Sequence, residues 1–229
     1  MSMKKVFILF GNVFMVLLLS CALSDRSTII QENEDGFTPL FNGIDLTGWT
    51  GDTEGYRVKD GVLIAEPLGN LYTDAEYIDF ILRFEFKLTS GANNGIGIRV
   101  PMRGKASRAG LEIQILDNTA EKFAEAKPYQ RHGSVYGIIP AKTGYLKPLG
   151  EWNEQEIYVK GSYVRVILNG TVIVGTDLLP YRLGAPTPDG KEHHGLKRNR
   201  GHISLAGHKT KLYFRNLRIK PLEPSTLIQ

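Results

Sequence analysis

The chain has 229 residues, of which 42% are hydrophobic and 10% aromatic, so it can bury the core of one large globular domain. Its 25 glycines, 11 prolines, 10 phenylalanines and 10 tyrosines argue against helical bundles and coiled coils. The formal charge of +4 falls to +2 if the first twenty residues are removed, because they hold Lys4 and Lys5 and no acid. Such a balanced surface gives no electrostatic footprint for nucleic acid.

The N-terminus has the composition of a secretory signal peptide. Lys4 and Lys5 precede apolar residues 6–10 and 13–19, and the intervening Gly11-Asn12 leaves them short of a membrane-spanning helix of about 20 residues. Cys21, the only cysteine, stands where a bacterial lipobox places its acylated residue. We predict a signal peptide at 1–20, a lipid on Cys21, a polar tether over 21–35 and a location in the cell envelope. The alternative is an ordinary signal peptide with an unmodified cysteine.

From Phe37 onward the sequence predicts short strands separated by turns. Residues 79–88 alternate strictly between apolar and charged side chains, as in a strand half buried against a core. Asn169-Gly170 and Asp60-Gly61 each separate two apolar runs and predict tight hairpins. The predicted strands are 56–59, 62–66, 79–88, 95–100, 111–116, 134–138, 155–160, 163–168, 171–174, 202–205 and 211–219, the last with a bulge at Arg215-Asn216.

Helical signals are weak along the whole chain. Only residues 119–127 favour a helical turn or two, and 179–201 is a long connection of the kind that is usually functional or disordered. Many short strands without an amphipathic helix predict an all-β fold, a jelly-roll β-sandwich of two antiparallel sheets. We place this domain at residues 36–222, followed by a tail over 223–229.

The most informative segment for function is 110–118. Glu112 and Gln114 project from one face of the predicted strand, whose other face is strongly apolar, and this suits a sheet lined for a polar ligand. Asp117 follows, and a bulge there would return it to the Glu112 side. The spacing resembles the acid triplet of laminarinase-type retaining glucanases, with Gln114 in place of the middle acid. The alternative is a solvated strand face that ends in a turn-starting aspartate.

The glycine-rich segment 90–99 is a second candidate. Gly95 and Gly97 leave one strand face without side chains, so that a sugar ring or another backbone can approach closely. We expect Arg99 to emerge on that same face, and we assign Asn94 to substrate binding. The alternative is a glycine-rich turn with an exposed arginine.

The remaining functional signals are weaker. The five histidines show no metal-ligand spacing, so a metal site is left open. Trp152 precedes a predicted strand and is either a sugar-stacking platform or a core aromatic. No GxSxG elbow for a nucleophile is present.

Taken in chain order, these segments resemble the 3-keto-disaccharide hydrolase domain family, which has a concanavalin A-like jelly-roll fold. The resemblance runs from residues 36–43 and 46–49 through 91–99, 112–118, 133–140 and 147–153 to 214–219. The family often carries a glutamine two residues before the histidine of its penultimate strand. Here Ala206-Gly207-His208 keeps only the histidine, which implies a changed sugar preference.

The resemblance implies action on glycosides whose C3 hydroxyl has been oxidised to a ketone by a separate dehydrogenase. The ketone acidifies the C2 proton, so a base can remove it, the C1 substituent leaves by β-elimination, and water adds to the enone. Such a site needs a base, an acid and donors for the enolate. The implied catalytic residues are Glu112, His132 and Arg99, and the implied substrate-binding residues are Gln114, Asp117, Asn94, Trp152, Tyr136 and His208.

Two other functions stay open on the sequence. A retaining glycosidase using Glu112 and Asp117 requires carboxyl groups about 5–5.5 Å apart. A lectin-like module would use the same polar face without turnover, because one fold serves both classes. The expected partners are a glycoside or oligosaccharide and, through the N-terminal lipid, a membrane, but no nucleic acid. The keto-glycoside route needs no redox cofactor, and a divalent metal that polarises the ketone is compatible with it.

Overall fold

The computed structural model of the protein describes residues 36–66 and 68–223. The predicted signal peptide at 1–20, the tether at 21–35 with Cys21, and residues 224–229 of the predicted tail lie outside these ranges. Within them, regular structure is almost entirely β-strand, in two antiparallel sheets as predicted. No helix in the described part of the chain is long and apolar enough to cross a membrane.

The strands are short and follow one another closely. In chain order they are β1 (Thr38–Pro39), β2 (Trp49–Gly51), β3 (Tyr56–Lys59), β4 (Val62–Ala65), β5 (Leu71–Tyr77), β6 (Phe80–Leu88), β7 (Asn93–Val100), β8 (Leu111–Leu116), β9 (Trp152–Lys160), β10 (Tyr163–Leu168), β11 (Thr171–Asp177), β12 (Gly201–Ala206) and β13 (Leu212–Pro221). The connections contain two single-turn helices, α1 (Ala106–Ala109) and α2 (Leu179–Arg182), and 3₁₀ turns at Glu121–Phe123, Pro128–Gln130 and His194–Lys197.

The strand order of both sheets is largely non-sequential. The eight-stranded sheet has the order β11-β10-β9-β6-β13-β4-β3, with β1 paired to the C-terminal part of β13. The five-stranded sheet has the order β2-β5-β12-β7-β8. Strands distant in sequence therefore lie side by side, as is usual in a jelly roll.

Strand β6 confirms the predicted alternation. Phe80, Phe84 and Phe86 are buried in the core between the sheets, together with Leu82 and Leu88. The intervening charged residues lie on the opposite face, where Arg83 forms an ion pair of 2.8 Å with Glu156 of β9. The period-2 pattern alone was sufficient to assign both faces of this strand.

Both predicted hairpins are also confirmed. Asn169 and Gly170 have φ angles of 48° and 83°, and Asp60 and Gly61 have 51° and 75°, the positive values that a tight hairpin turn requires. The predicted bulge in the last strand is present, since the register of β13 against β6 shifts between Arg215 and Arg218.

Several segments differ from the sequence prediction. The helix expected over 119–127 is only the 3₁₀ turn Glu121–Phe123. Residues 134–138 do not form a regular strand, but the backbone of 133–136 hydrogen-bonds to the outer edge of β8. Strand β5 was not predicted, because Asp74 and Glu76 interrupt its apolar pattern.

Candidate active site

Glu112 and Gln114 lie on the face of β8 that points away from the inter-sheet core. Leu111, Ile113 and Ile115 enter the core, whereas Glu112 and Gln114 project from what we call the outer face of the five-stranded sheet. All six residues of β8 are nevertheless buried, and Glu112 is only 5% exposed. The solvated strand face considered from the sequence is therefore not what this strand presents.

The Glu112 side chain crosses the neighbouring strand over Gly95. A Cβ atom at position 95 would lie 2.6 Å from Cγ of Glu112, closer than real side chains approach. Gly97, on the same face, similarly admits helix α1, since a Cβ there would lie 2.8 Å from Cβ of Ala106. The two glycines thus provide close approach, as the sequence predicted, but to protein side chains.

Burial sets the ionisation of Glu112. Desolvation raises the pKa of its carboxyl to about 7, although a hydrogen bond from the Ser107 side chain of α1 favours the ionised form. A carboxyl with a pKa near neutrality is held partly ionised at physiological pH. This is the property that a general base needs.

The raised pKa makes the stability of the fold depend on pH. A carboxyl with a folded pKa of about 7 and an ordinary value of 4.5 binds more protons in the folded state, so its favourable contribution is complete below pH 4.5 and lost as pH rises through 7. Glu112→Gln cannot ionise and should increase the free energy of unfolding more at pH 8 than at pH 4.5, by on the order of 3 kcal/mol. Urea unfolding at both pH values measures this, with the exposed Glu154→Gln as control. Equal effects of Glu112→Gln at the two pH values would contradict it.

A buried aspartate–histidine pair lies on the other side of Ser107. Nε2 of His193 is 3.1 Å from Oδ1 of Asp189, and Nδ1 of His193 is 3.2 Å from the Ser107 carbonyl oxygen. The pKa of Asp189 is held low: burial raises it, but hydrogen bonds from His193, Lys191 and Thr187 outweigh burial. Ser107 therefore contacts Glu112 through its hydroxyl and His193 through its carbonyl.

A pocket of about 540 Å³ opens beside this group of residues. Ser107 and Arg108 of α1, Tyr136, Asp189 and residues 191–194 line it. Tyr136 also joins the pocket to Glu112, because its backbone N–H donates to the Glu112 carbonyl over 2.8 Å. The Tyr136 hydroxyl accepts a hydrogen bond of 3.1 Å from Gln130, which leaves its own hydrogen available to a ligand.

The amide partner of Gln114 is Asn93 rather than Asn94. Gln114 Nε2 donates to Asn93 Oδ1 over 2.9 Å, so the pair extends the polar outer face beyond Glu112. Asn94 pairs in register with Ile115 and is fully buried, with its Oδ1 accepting from Gly95 N–H at 2.9 Å. The structure thus places Asn94 on the core side, away from Glu112.

His132 lies in the core between the sheets. Its ring stacks on Phe86 with centroids 5.0 Å apart, and its Nδ1 accepts from the Leu116 N–H at 3.3 Å. Burial lowers the pKa of His132 to about 3, although the neighbouring Gln155 amide acts in the opposite direction. The structure does not bring His132 together with Glu112, because the two lie on opposite sides of the five-stranded sheet.

Arg99 does not emerge on the face of Gly95 and Gly97, contrary to the sequence expectation. The register of β7 against β12 shifts here, so that Ile98 and Arg99 oppose a single residue, and Arg99 takes a φ of 55°. The bulge returns Val100 to the outer face and turns the Arg99 guanidinium to the carbonyl of Gly161 in the β9–β10 turn.

Asp117 is committed to the turn after β8. One carboxylate oxygen accepts from the Gly91 N–H at 2.8 Å, and the other accepts from the N–H and hydroxyl of Thr119 at 2.9 and 2.6 Å. Burial raises its pKa, but these hydrogen bonds and one from Ala120 N–H outweigh burial and lower it. Both oxygens are thus engaged in fixing the turn, which does not favour a nucleophile.

The other predicted binding residues occupy separate places. Trp152 is neither a core residue nor near Glu112: it lies on the solvent side of the eight-stranded sheet, with Lys87 and Arg215 4.9 and 4.1 Å from its ring. His208 lies in the exposed loop after β12, where partial desolvation and then Lys105 lower its pKa. Lys105, whose charge acts on His208, directly precedes α1.

The described residues provide no ready metal centre. Within 36–66 and 68–223, no three His, Cys, Asp or Glu side chains come together in an arrangement that could hold a metal ion. The divalent metal considered from the sequence stays an expectation, and we derive no step through it.

Residues 36–220 match the family described as the 3-keto-alpha-glucoside-1,2-lyase-like domain. The chain belongs to this family. The resemblance seen in the sequence is thereby confirmed, and membership makes the chain an enzyme of the class that cleaves glycosidic bonds by hydrolysis or elimination.

Individual relatives agree with this assignment. A 3-keto-disaccharide hydrolase of Bacteroides thetaiotaomicron is 27% identical over 235 residues, covering 82% of this chain and 79% of the relative. A solved structure from Parabacteroides distasonis, named as a candidate glycosyl hydrolase, is 32% identical with a TM-score of 0.73 and covers 81% of this chain and 99% of its own. A Bacillus subtilis protein with a galectin-like fold has a TM-score of 0.52 at 12% identity, covering 80% and 94%, and supports the concanavalin A-like jelly roll alone.

Sequence reasoning missed Ser107, Asp189 and His193 in this lyase-like domain. Asp189 and His193 are four residues apart in the 179–201 connection, whose length predicted a functional or disordered segment. Their spacing was the one available signal, but in an irregular loop it does not predict which element they face. Ser107 carries no motif and depends on α1 lying over β7.

Proposed function

We propose that this protein cleaves 3-keto-glycosides by elimination followed by hydration, with Glu112 as the general base. The observation that carries the proposal is a single carboxyl of pKa about 7, held in a nearly water-free position beside a pocket. Family membership supports the substrate class. The 3-keto-disaccharide hydrolase relative supports it independently.

The chemistry needs one proton acceptor and no redox step. Glu112 takes the C2 proton, the C2–H electron pair forms the C1=C2 double bond, and the C1–O bond breaks while the leaving oxygen gains a proton. Water then adds across the double bond, so the net result is hydrolysis. A base of pKa near 7 combines a useful ionised fraction with sufficient basicity for this proton transfer.

The surrounding polar groups fit the remaining tasks. Arg108 at the pocket wall offers positive charge to the developing enolate, and the free hydroxyl hydrogen of Tyr136 is suited to the leaving oxygen. Gln114 and Asn93 present a paired amide surface for sugar hydroxyls. These assignments replace Arg99 and His132, which lie elsewhere.

The proposal is tested by incubating the protein in D₂O with a glucoside and, separately, with its 3-keto derivative. We expect aglycone release only from the keto-sugar, and one deuterium at C2 of the released 3-keto-glucose. Release from the unoxidised glucoside without deuterium at C2 would indicate a conventional glycosidase. Binding of either sugar without release would indicate a lectin-like module.

Gly95→Ala should lower kcat/KM by about 10²-fold, because the new methyl group must push the Glu112 side chain away from its position, and misplacement by about 1 Å can cost that much. The matched control is Gly175→Ala on β11, where the new Cβ would meet a Tyr163 hydroxyl at 3.3 Å and Cγ1 of Val172 at 3.6 Å, without a severe overlap. Activity assays and thermal melting of both variants measure the effect. Equal activity of the two variants would show that Glu112 need not lie over Gly95.

We also propose that the domain is exported and anchored in the cell envelope through a lipid on Cys21. The support is the basic and apolar composition of residues 1–20 and the position of this cysteine. Cys21→Ser should move the protein from the membrane fraction to the soluble fraction, as followed by immunoblotting. A substituted protein that stays wholly membrane-bound would contradict the lipid anchor.

A further inference from the structure

We propose that Asp189 and His193 are positioning residues, which hold Ser107 against Glu112 and thereby set the ionisation of the base. The expected effect on the pH profile of kcat/KM rests on the function proposed above. The expected effect on the ionisation of Glu112 does not depend on that function.

The His193 ring is held through both of its nitrogens. Its side chain is 3% exposed and that of Asp189 is 5% exposed, so water does not complete their hydrogen bonds. The neighbours of the two ring nitrogens are a carboxylate oxygen at 3.1 Å and a carbonyl oxygen at 3.2 Å. Because these neighbours belong to α1 and to Asp189, the ring is fixed between the helix and the carboxylate.

Helix α1 depends on such outside contacts for its position. It has only four residues, and its N-cap, Lys105, makes no side-chain capping bond. The connection after α2 contacts it twice: His193 binds the Ser107 carbonyl, and Gly195 packs so closely that a Cβ there would lie 2.7 Å from Cα of Gly110. Removing the His193 contact therefore frees the residue whose hydroxyl binds Glu112.

Other charges also surround this position and bear on any pH effect. Beyond Asp189 and His193, the titratable and charged groups on the elements packed around Glu112 are Lys105, Arg108, Tyr136, Lys191, Glu192 and His194. Glu192 already pairs with Lys197 at 3.1 Å and with His194 at 3.4 Å. Neutral replacements at Asp189 and His193 leave all of these groups unchanged.

The direction of the effect follows from the Ser107 hydrogen bond. That bond favours ionised Glu112, so its loss raises the pKa of the carboxyl. A base must be ionised, and the acid limb of kcat/KM therefore moves to higher pH. For a midpoint that rises from about 7 by ~1 pH unit, kcat/KM falls roughly fivefold at pH 7 and recovers at high pH.

The experiment compares Ser107→Ala, Ser107→Thr, Asp189→Asn and His193→Gln, with the exposed Glu125→Gln as control. The Glu112 midpoint is measured by carbon-13 NMR titration of the glutamate carboxyls in the substrate-free protein, its signal being identified by its loss in Glu112→Gln. The pH profile of kcat/KM is measured alongside. We expect higher midpoints in Ser107→Ala, Asp189→Asn and His193→Gln, the original midpoint in Ser107→Thr, and no extra shift when Ser107→Ala and His193→Gln are combined.

Three results would overturn the inference. The first is an unchanged Glu112 titration midpoint in Asp189→Asn, and the second is a loss of activity at all pH values without a shift in the acid limb of kcat/KM. The third is that the shifts of Ser107→Ala and His193→Gln add in the double variant, which would show that His193 does not act through Ser107. Failure of the proposed function appears differently: the NMR midpoint then moves while the kinetic profile does not. That result supports the positioning role and removes the base role.

Discussion

Glu112→Gln is expected to lower turnover of a 3-keto-glucoside by roughly 10²–10⁴-fold, the usual contribution of general acid–base catalysis. The glutamine keeps the shape of the side chain and can still hydrogen-bond to Ser107, but it cannot accept the C2 proton. Because the amide fits the same position over Gly95, the substrate should still bind. Single-turnover kinetics and equilibrium binding of the 3-keto-sugar measure the two effects separately.

Glu154→Gln is the matched control, since Glu154 is exposed on the eight-stranded sheet and should be replaceable without loss of turnover. Unchanged turnover in Glu112→Gln would contradict the base role and would make Glu112 a residue that only orients the sugar. Loss of binding together with turnover would instead assign Glu112 to holding the substrate.

Phe84→Ala should reduce the free energy of unfolding by about 3–5 kcal/mol, the usual cost of emptying a buried aromatic site. Phe84 is 2% exposed and contacts Phe86 and Phe214, with ring centroids 6.1 and 6.0 Å away. Its ring thus packs in the core between the sheets, against side chains of β6 and of the adjacent strand β13. Urea unfolding of the purified protein measures the loss.

The control is Ile81→Ala, on the half-buried outer side of the same strand. It should reduce the free energy of unfolding distinctly less, because the Ile81 side chain removes less apolar area from water on folding. A loss below about 1 kcal/mol in Phe84→Ala would mean that the site collapses around the smaller side chain or that the ring contributes little packing.

The fold was largely accessible from local sequence patterns. Strict alternation in 80–88 identified the core face of β6, and Asn169-Gly170 and Asp60-Gly61 identified two hairpins, because these signals act over a few residues. Strand β5 was not predicted because its charged residues interrupt the local apolar pattern, whereas contacts with distant parts of the fold accommodate them. The order of strands across each sheet depends on pairings between distant segments, which no local pattern contains.

The site was accessible only in part, for the same reason. The sequence located Glu112, Gln114 and the glycines opposite them, since all follow from strand alternation. It did not place His132, whose backbone leaves β8 through a loop and returns between the sheets. It could not join His193 to Ser107, because that contact links two connections 86 positions apart.

The bulge at Ile98 and Arg99 has a consequence for the acidity of Glu112. If β7 alternated regularly through residue 99, the Arg99 guanidinium would lie on the face that carries Glu112, and a nearby cation would lower the pKa of the carboxyl toward its ordinary value. The backbone irregularity of one strand, rather than the identity of any residue in the pocket, therefore keeps a permanent positive charge away from the proposed base.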